Sequence, residues 1–201
     1  MSPAVDVSRE TEGRLSRFAD TLRQWNSRIN LVAPSTIDQL WERHIHDSAQ
    51  LFALRPASAR HWADLGTGGG FPGLVIAILA AEAAPRLRVT LVESDRRKAA
   101  FLATAARAAG VRPRICAERA ETLPPLQADV LSARALAPLP RLLEQAHRHL
   151  APAGVALFPK GANHAAEIDA ALADWRFRVQ KTPSRTDPSG VILAIDGVAR
   201  V

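Results

Sequence analysis

The chain has 201 residues, 47% of them hydrophobic, which suits one domain with room for an appendage and a sizeable core. Its formal net charge of +6 fits a partner rich in phosphate, with a solvated basic surface as the plainer alternative. The single cysteine, Cys116, excludes an internal disulfide framework and a cysteine-based metal site.

The N-terminal run MSPAVDVSRETEGR is polar and lacks the apolar core of a signal peptide. Residues 8–30 read as an amphipathic helix, because Leu15, Phe18, Leu22, Trp25 and Ile29 recur at three- and four-residue steps. Ser8, Thr11 and Glu12 mark its start. A second helix is expected over residues 36–54, stopped by Arg55-Pro56. Then the period changes. Residues 61–65 form a short strand ending in GTGGGFPG, and Pro72 suits the first turn of a helix reaching to about Ala83. Residues 87–92 are continuous and β-branched, as in a strand buried on both faces, and Glu93 closes it. Residues 95–109 are an alanine-rich helix stopped by Gly110. Strands follow at 111–117, 129–133 and 154–158, and helices at 138–150 and 163–172. Two late strands, 177–180 and 191–195, have no helix between them. The first few residues and the 183–189 connection read as flexible. The longest apolar stretch, 74–84, is too short for a bilayer and contains Glu82.

Strand–helix alternation from residue 61 implies an α/β fold: a mostly parallel, Rossmann-like sheet, seven strands with an antiparallel edge hairpin. Residues 1–56 form an N-terminal helical extension, and residues 57–201 one compact unit. In such a sheet, ligands bind beyond the carboxyl ends of the strands, where the glycine loop sits.

Gly68, Gly70 and Gly73 satisfy GxGxxG, so a dinucleotide is a legitimate first reading. Three details pull elsewhere. Asp64 precedes Gly66-x-Gly68-x-Gly70, and an acid there is awkward beside a pyrophosphate. It is welcome beside a cation, such as the amino acid part of S-adenosylmethionine. Glu93 is placed to accept from both ribose hydroxyls, which serves either cofactor but argues against a 2′-phosphate. Ala120 and Glu121, after the third strand, can present an amide and a carboxylate to an adenine edge. No Gly-Lys-Ser/Thr follows the glycines, which excludes a Walker loop.

With these pieces placed, the sequence resembles the bacterial small-subunit rRNA guanine-N7 methyltransferases, also called the glucose-inhibited division protein B family. The resemblance rests on Asn30-Leu-Val, Arg43-His44-Ile-His-Asp47-Ser48, Asp64-Leu-Gly-Thr-Gly-Gly-Gly-Phe-Pro-Gly73, Val92-Glu-Ser94 with Arg97-Lys98 and Phe101-Leu102, Arg119-Ala-Glu121, Ser132-Ala-Arg134-Ala and Phe158-Pro-Lys-Gly161. Ala133 between Ser132 and Arg134, and Pro159 before Lys160, depart from the family's usual spacing. The resemblance implies a class I S-adenosylmethionine-dependent methyltransferase fold, with cofactor contacts at Gly66, Phe71, Ala120, Glu121 and Arg134. It implies 16S rRNA or the small ribosomal subunit as partner, and a cytoplasmic location. A monomer is the expectation, with no membrane association.

The chemistry agrees with the residue set. Guanine N7 carries a lone pair and no proton, so its methylation needs placement rather than a general base. Leu123-Pro-Pro-Leu126 is not the Asn/Asp-Pro-Pro-aromatic motif of exocyclic amine methylation. Cys116, in an expected buried strand, reads as a small hydrophobe rather than a nucleophile. Arg134 and Lys160 are candidates for positioning the base or RNA, and Arg43, His44 and Lys160 for binding RNA. His44 and Asp47, three apart, read equally well as a structural link to the sheet. Arg9, Arg14, Arg17, Arg23 and Arg28 give the first helix a basic face that suits RNA backbone, or simply water. His147 and His149 have no third ligand at metal spacing. Two alternatives stand beside this reading: an NAD-dependent Rossmann oxidoreductase and a non-catalytic RNA-binding Rossmann module.

Overall fold

The computed structural model describes residues 7–201; the expected flexibility of the first residues falls on positions outside that range, Val7 excepted. Strand β1 (His61–Leu65) runs parallel to both its neighbours, β2 (Arg88–Val92) and β4 (Ala128–Ala133). With β3 (Arg114–Cys116), β5 (Leu150–Lys160), β6 (Trp175–Pro183) and β7 (Val191–Arg200) they form a seven-stranded sheet in the order β3-β2-β1-β4-β5-β7-β6. Only β7 runs against its neighbours. The strand order reverses between β1 and β4, so the loops following those two strands flank a crevice. The expected edge hairpin is present, with β7 inserted between β5 and β6.

Two cores fill the two faces. Helices α1 (Arg9–Asn26), α2 (Asp47–Ala53), α3 (Gly73–Ala83) and α4 (Arg96–Ala108) cover one. Helices α5 (Leu139–His149) and α6 (His164–Ala171) cover the other. Every residue of α3 from Gly73 to Ala80 is buried, because α1 and α2 lie over the side that the sheet leaves uncovered. The N-terminal segment is therefore a second layer on the sheet's own helix. Trp25 meets Phe101 of α4 at 5.8 Å between ring centroids, and Phe18 meets Phe71 at 5.3 Å. Among the described residues no helix is long and apolar enough to cross a membrane.

Several boundaries move for physical reasons. Helix α1 ends at Asn26, four residues before the expected end, because Asn26 Oδ1 accepts the amides of Leu31 (2.9 Å) and Val32 (3.0 Å). The side chain turns the chain back where the apolar pattern alone would continue the helix. The single helix expected over 36–54 is three pieces: a 3₁₀ turn at Pro34–Thr36, a π-helix at Trp41–His46, and α2. The strand expected over 111–117 shrinks to β3, since it pairs with β2 alone and Pro113 has no N–H for a ladder. Strand β5 is longer than expected and shifts register between Ala128 and Val130 of its partner. Both late strands also outrun their expected ends. Pro72 stands immediately before α3 instead of within its first turn.

Asn26 is 9% exposed and serves two buried amides. Asn26→Ala is expected to cost about 1–3 kcal/mol, read as a lower urea midpoint with an unchanged denaturant slope.

Candidate functional site

The glycine loop is anchored at both ends by one carboxylate. Asp64, at the end of β1, is fully buried. Its Oδ1 accepts from Ser132 Oγ on β4 (2.6 Å), and its Oδ2 from the amide of Gly73, the first residue of α3 (3.0 Å). Trp62 Nε1 donates to the same serine oxygen (2.8 Å). Burial pushes the Asp64 carboxyl up to about 6, against the bonds from Ser132, Thr67 and Gly73 that favour its charged form. A side chain at Gly73 would put its Cβ 2.6 Å from Asp64 Oδ2, so the bond requires glycine there. This corrects the sequence expectation for Asp64. The carboxylate stands behind the loop and holds it, with no face toward a ligand.

Glu93 braces the loop from the next strand. Its Oε2 accepts from the amide of Gly68 and its Oε1 from that of Asp95, each at 2.8 Å. Gly68 takes a φ of +55°, and a Cβ there would meet nothing nearer than the Gly66 carbonyl oxygen at 3.7 Å. The loop thus presents bare backbone to open space. Gly66 lies under Leu136, and Gly70 packs on the Phe18 ring.

The second half of the site follows β4. Arg134 donates to His44 Nδ1 (2.8 Å), to Asp47 Oδ2 (3.3 Å) and to the Arg43 carbonyl (3.3 Å). Its guanidinium also lies 5.2 Å from the centroid of the Phe71 ring, on which the His44 ring stacks at 5.0 Å. A guanidinium has no acceptor, so the network places the His44 proton on Nε2, which donates to Thr36 Oγ1 (2.9 Å). Burial, then the charges of Arg134 and Arg43, push His44 down to about 4. His44 and Asp47 are three residues apart along the helical segment Trp41–Ala53, so both reach one guanidinium. The structural reading of His44 and Asp47 is the one the geometry gives, and Arg134 is the link. Both ring nitrogens of His44 are engaged within the fold, and the ring also lines the cavity.

One cavity of about 1050 Å³ joins these parts. Gly66, Gly68, Phe71, Arg43, His44 and Arg134 line it together, so six expected residues converge. Lys160 lines it as well, but its ammonium is committed to Glu167 Oε2 (2.7 Å) and the Ala137 carbonyl (3.0 Å). The same Glu167 oxygen accepts from Leu139 N (2.7 Å). Lys160 therefore ties α6 and the segment before α5 to β5. Gly70, Glu93, Ala120 and Glu121 lie outside the cavity lining. Glu121 is exposed, and the Ala120 carbonyl accepts from His149 Nε2 (3.0 Å).

Sequence reasoning missed the 184–190 connection, which lines the cavity with Ser184, Thr186, Asp187 and Gly190. It is tied down where flexibility was expected. Thr186 Oγ1 donates to Asp47 Oδ1 (2.8 Å), and Arg185 N to Gln50 Oε1 (3.0 Å). Its polar composition was the only available signal, and that signal also describes a loose loop. Along the first helical segment Arg9, Arg23 and Arg28 are exposed, and two arginines are engaged by the fold. Arg14 donates to the Gly110 carbonyl and Arg17 to that of Ala108, capping α4, while Arg23 pairs with Asp20.

The family model of GidB, rRNA small subunit methyltransferase G, matches residues 11–188. The chain is 55% identical over 201 residues to the ribosomal RNA small subunit methyltransferase G of Cereibacter sphaeroides, covering 100% of this chain and 97% of that one. It is 51% identical over 197 residues to the protein of the same name in Ruegeria pomeroyi, covering 98% and 96%. Among solved structures, an O-methyltransferase from Bacillus cereus in complex with SAH superposes with a TM-score of 0.61 at 15% identity, over 97% of this chain and 94% of that one. A TehB-like SAM-dependent methyltransferase from Corynebacterium glutamicum gives 0.56 at 15%, over 92% and 97%. Likeness at such identities concerns the fold alone.

The His44 shift has a pH signature. The unfolded chain protonates histidine near the ordinary 6.5, and the folded chain only near 4. Between those values the unfolded state binds more protons, so this contribution to stability is lost as pH falls through the window. Asp64 acts in the opposite sense over part of that range, so the wild type must be compared with a variant. The stability gap between wild type and His44→Gln is expected to narrow by about 1 kcal/mol from pH 7 to pH 5 in urea unfolding, allowing for the ring's partial exposure.

Proposed function

The chain belongs to the GidB family of rRNA small subunit methyltransferases G, and from that premise we propose that it methylates N7 of a guanine in 16S rRNA, in the cytoplasm, using S-adenosylmethionine. The dinucleotide-dependent oxidoreductase alternative falls with the family. The observation that carries the reading is the single cavity in which the glycine loop after β1 and Arg134 after β4 meet at the reversal of strand order.

The glycine-loop residues fit the cofactor. Above Gly68 the backbone is bare and the space open, as a ligand laid against main chain requires. Gly66, Gly68 and Phe71 are the residues that would hold its methionine part. Glu93, with Ala120 and Glu121 at the neighbouring strand end, would serve the ribose and adenine. When bound, S-adenosylmethionine supplies an electrophilic sulfonium methyl.

The remaining work is positioning. N7 has a lone pair and no proton to lose, so no base is needed. Five ionisable groups of the cavity wall are engaged with one another: His44 and Asp47 with Arg134, and Lys160 with Glu167. Arg134 fixes the wall and contributes positive charge beside the site. Arg43, exposed on the cavity rim, and Lys98, which also lines the cavity, are the cations left to meet RNA. Holding reactants in line accounts for roughly 7–11 kcal/mol of barrier in the best cases.

Incubation with methyl-labelled S-adenosylmethionine and small-subunit particles lacking the modification is expected to place label on one guanine N7. Absence of transfer to any guanine N7, on naked RNA and on particles alike, sinks the reading. Labelling of RNA binding without cofactor affinity supports the non-catalytic module instead. Gly68→Asp forces a side chain onto a φ of +55° and a carboxylate into the cavity. It is expected to abolish S-adenosylmethionine binding in calorimetry while the protein stays folded.

A further inference from the structure

The 184–190 connection is built as a rigid arm over the cavity. Ser184 N bonds the Gly190 carbonyl (2.9 Å), and Gly190 N bonds that of Asp187 (3.0 Å), closing the turn. Gln50 Nε2 reaches Ser184 Oγ (3.2 Å) and Asp47 Oδ1 (2.9 Å), which fixes the arm to α2. Three carboxylates line the cavity: Asp47, Glu167 and Asp187. The first two are consumed by the fold. Asp187 is not. Its Oδ1 accepts from Ser189 N (2.9 Å) and Ser189 Oγ (2.8 Å), the Gly190 amide also bears on the carboxylate, and among the described residues no cation pairs with it. Those bonds hold the carboxyl below the ordinary range, so it is ionised at neutral pH.

Arg43 lines the same cavity, and its charge bears on Asp187, yet the two form no ion pair. The cavity wall thus offers an unpaired fork of donors and an unpaired acceptor. Both belong, with Lys98, to the charged groups of the wall that form no ion pair among the described residues.

We propose that Asp187 and Arg43 read the Watson–Crick edge of the target guanine, Asp187 accepting from N1–H and the N2 amine and Arg43 donating to O6. This rests on the guanine-N7 reading above and names what selects the base. A carboxylate accepts and never donates when ionised, so it matches the two adjacent donors of guanine. Adenine and cytosine turn a lone pair toward the same position, and uracil offers one donor between two acceptors. An enzyme that modifies a base reads it by that edge after taking it out of the stack. The Watson–Crick edge also lies across the base from N7, so a group that grips it leaves N7 exposed to the methyl.

The test replaces the target guanosine by inosine, which keeps O6, N1–H and N7 and lacks the N2 amine. Methyl transfer is measured as kcat/KM on reassembled small-subunit particles carrying either base. The wild type is expected to lose about tenfold or more on inosine. Asp187→Asn is expected to lose a similar factor on guanosine and to bring the guanosine-to-inosine ratio close to one. Its single amide oxygen is taken by Ser189, and the amine that replaces Oδ2 cannot accept. Arg43→Gln is expected to lower both rates by the same factor, because O6 is common to both bases. S-adenosylmethionine affinity stays at the wild-type value in the Asp187 variant. An Asp187→Asn ratio equal to that of the wild type overturns the assignment, as does a wild type indifferent to the amine. A wild type that transfers to no guanine N7 overturns the underlying reading instead, and the two failures are told apart by that control.

Discussion

The site depends on one buried carboxylate. Asp64 bonds a side chain on the neighbouring strand and the amide that begins the following helix. It thereby fixes both ends of the glycine loop to the centre of the sheet. A charged group with no exposure is costly unless its oxygens are satisfied. Here Ser132 and Gly73 satisfy them, and the rise of its carboxyl to about 6 measures what burial still opposes. The glycine at position 73 and the serine at 132 are consequences of that one group. So is the rigidity of a loop whose exposed face is bare backbone.

The second constraint is reach. The crevice at β1 and β4 is open on one side until the N-terminal segment crosses it. Arg134 spans the gap, taking a histidine and an aspartate three residues apart on one side of a helical segment. Asp47 then extends the network to the β6–β7 connection through Thr186. A single chain of polar contacts therefore runs from the strand end, through the N-terminal helices, to the arm over the cavity. The cavity wall is assembled from segments more than 130 residues apart in sequence. The protein's positive charge is partly internal: Lys160 in the cavity wall, and Arg14 and Arg17 away from it, each serve a carbonyl or carboxylate of the fold.

That economy of free groups bears on the chemistry. A reaction at a lone pair asks the protein for alignment and for tolerance of positive charge, and alignment comes from rigid elements. Most acids and bases of the cavity wall are neutral or paired, Arg43, Lys98 and Asp187 excepted, which leaves the surface of the cavity defined by shape and by those few groups.

The sequence by itself determined the strand–helix alternation, the parallel sheet, the position of the glycine loop and the family. These follow from periodicity and from residues adjacent in the chain, such as the buried run of β2 and the glycines after β1. It also placed His44 and Asp47 on one side of a helical segment. What only the tertiary structure decided is which polar atoms were already occupied. Asp64 and Lys160 carry the residue types of ligand contacts, and the fold spends both on itself, because partners in β4, α3 and α6 come within hydrogen-bond distance. Asp187 and Thr186 read as loop composition, and tertiary contacts make them wall. Periodicity reports which face of an element is covered. It carries no information on which distant donor meets which acceptor, since that is set by the packing of elements on one another.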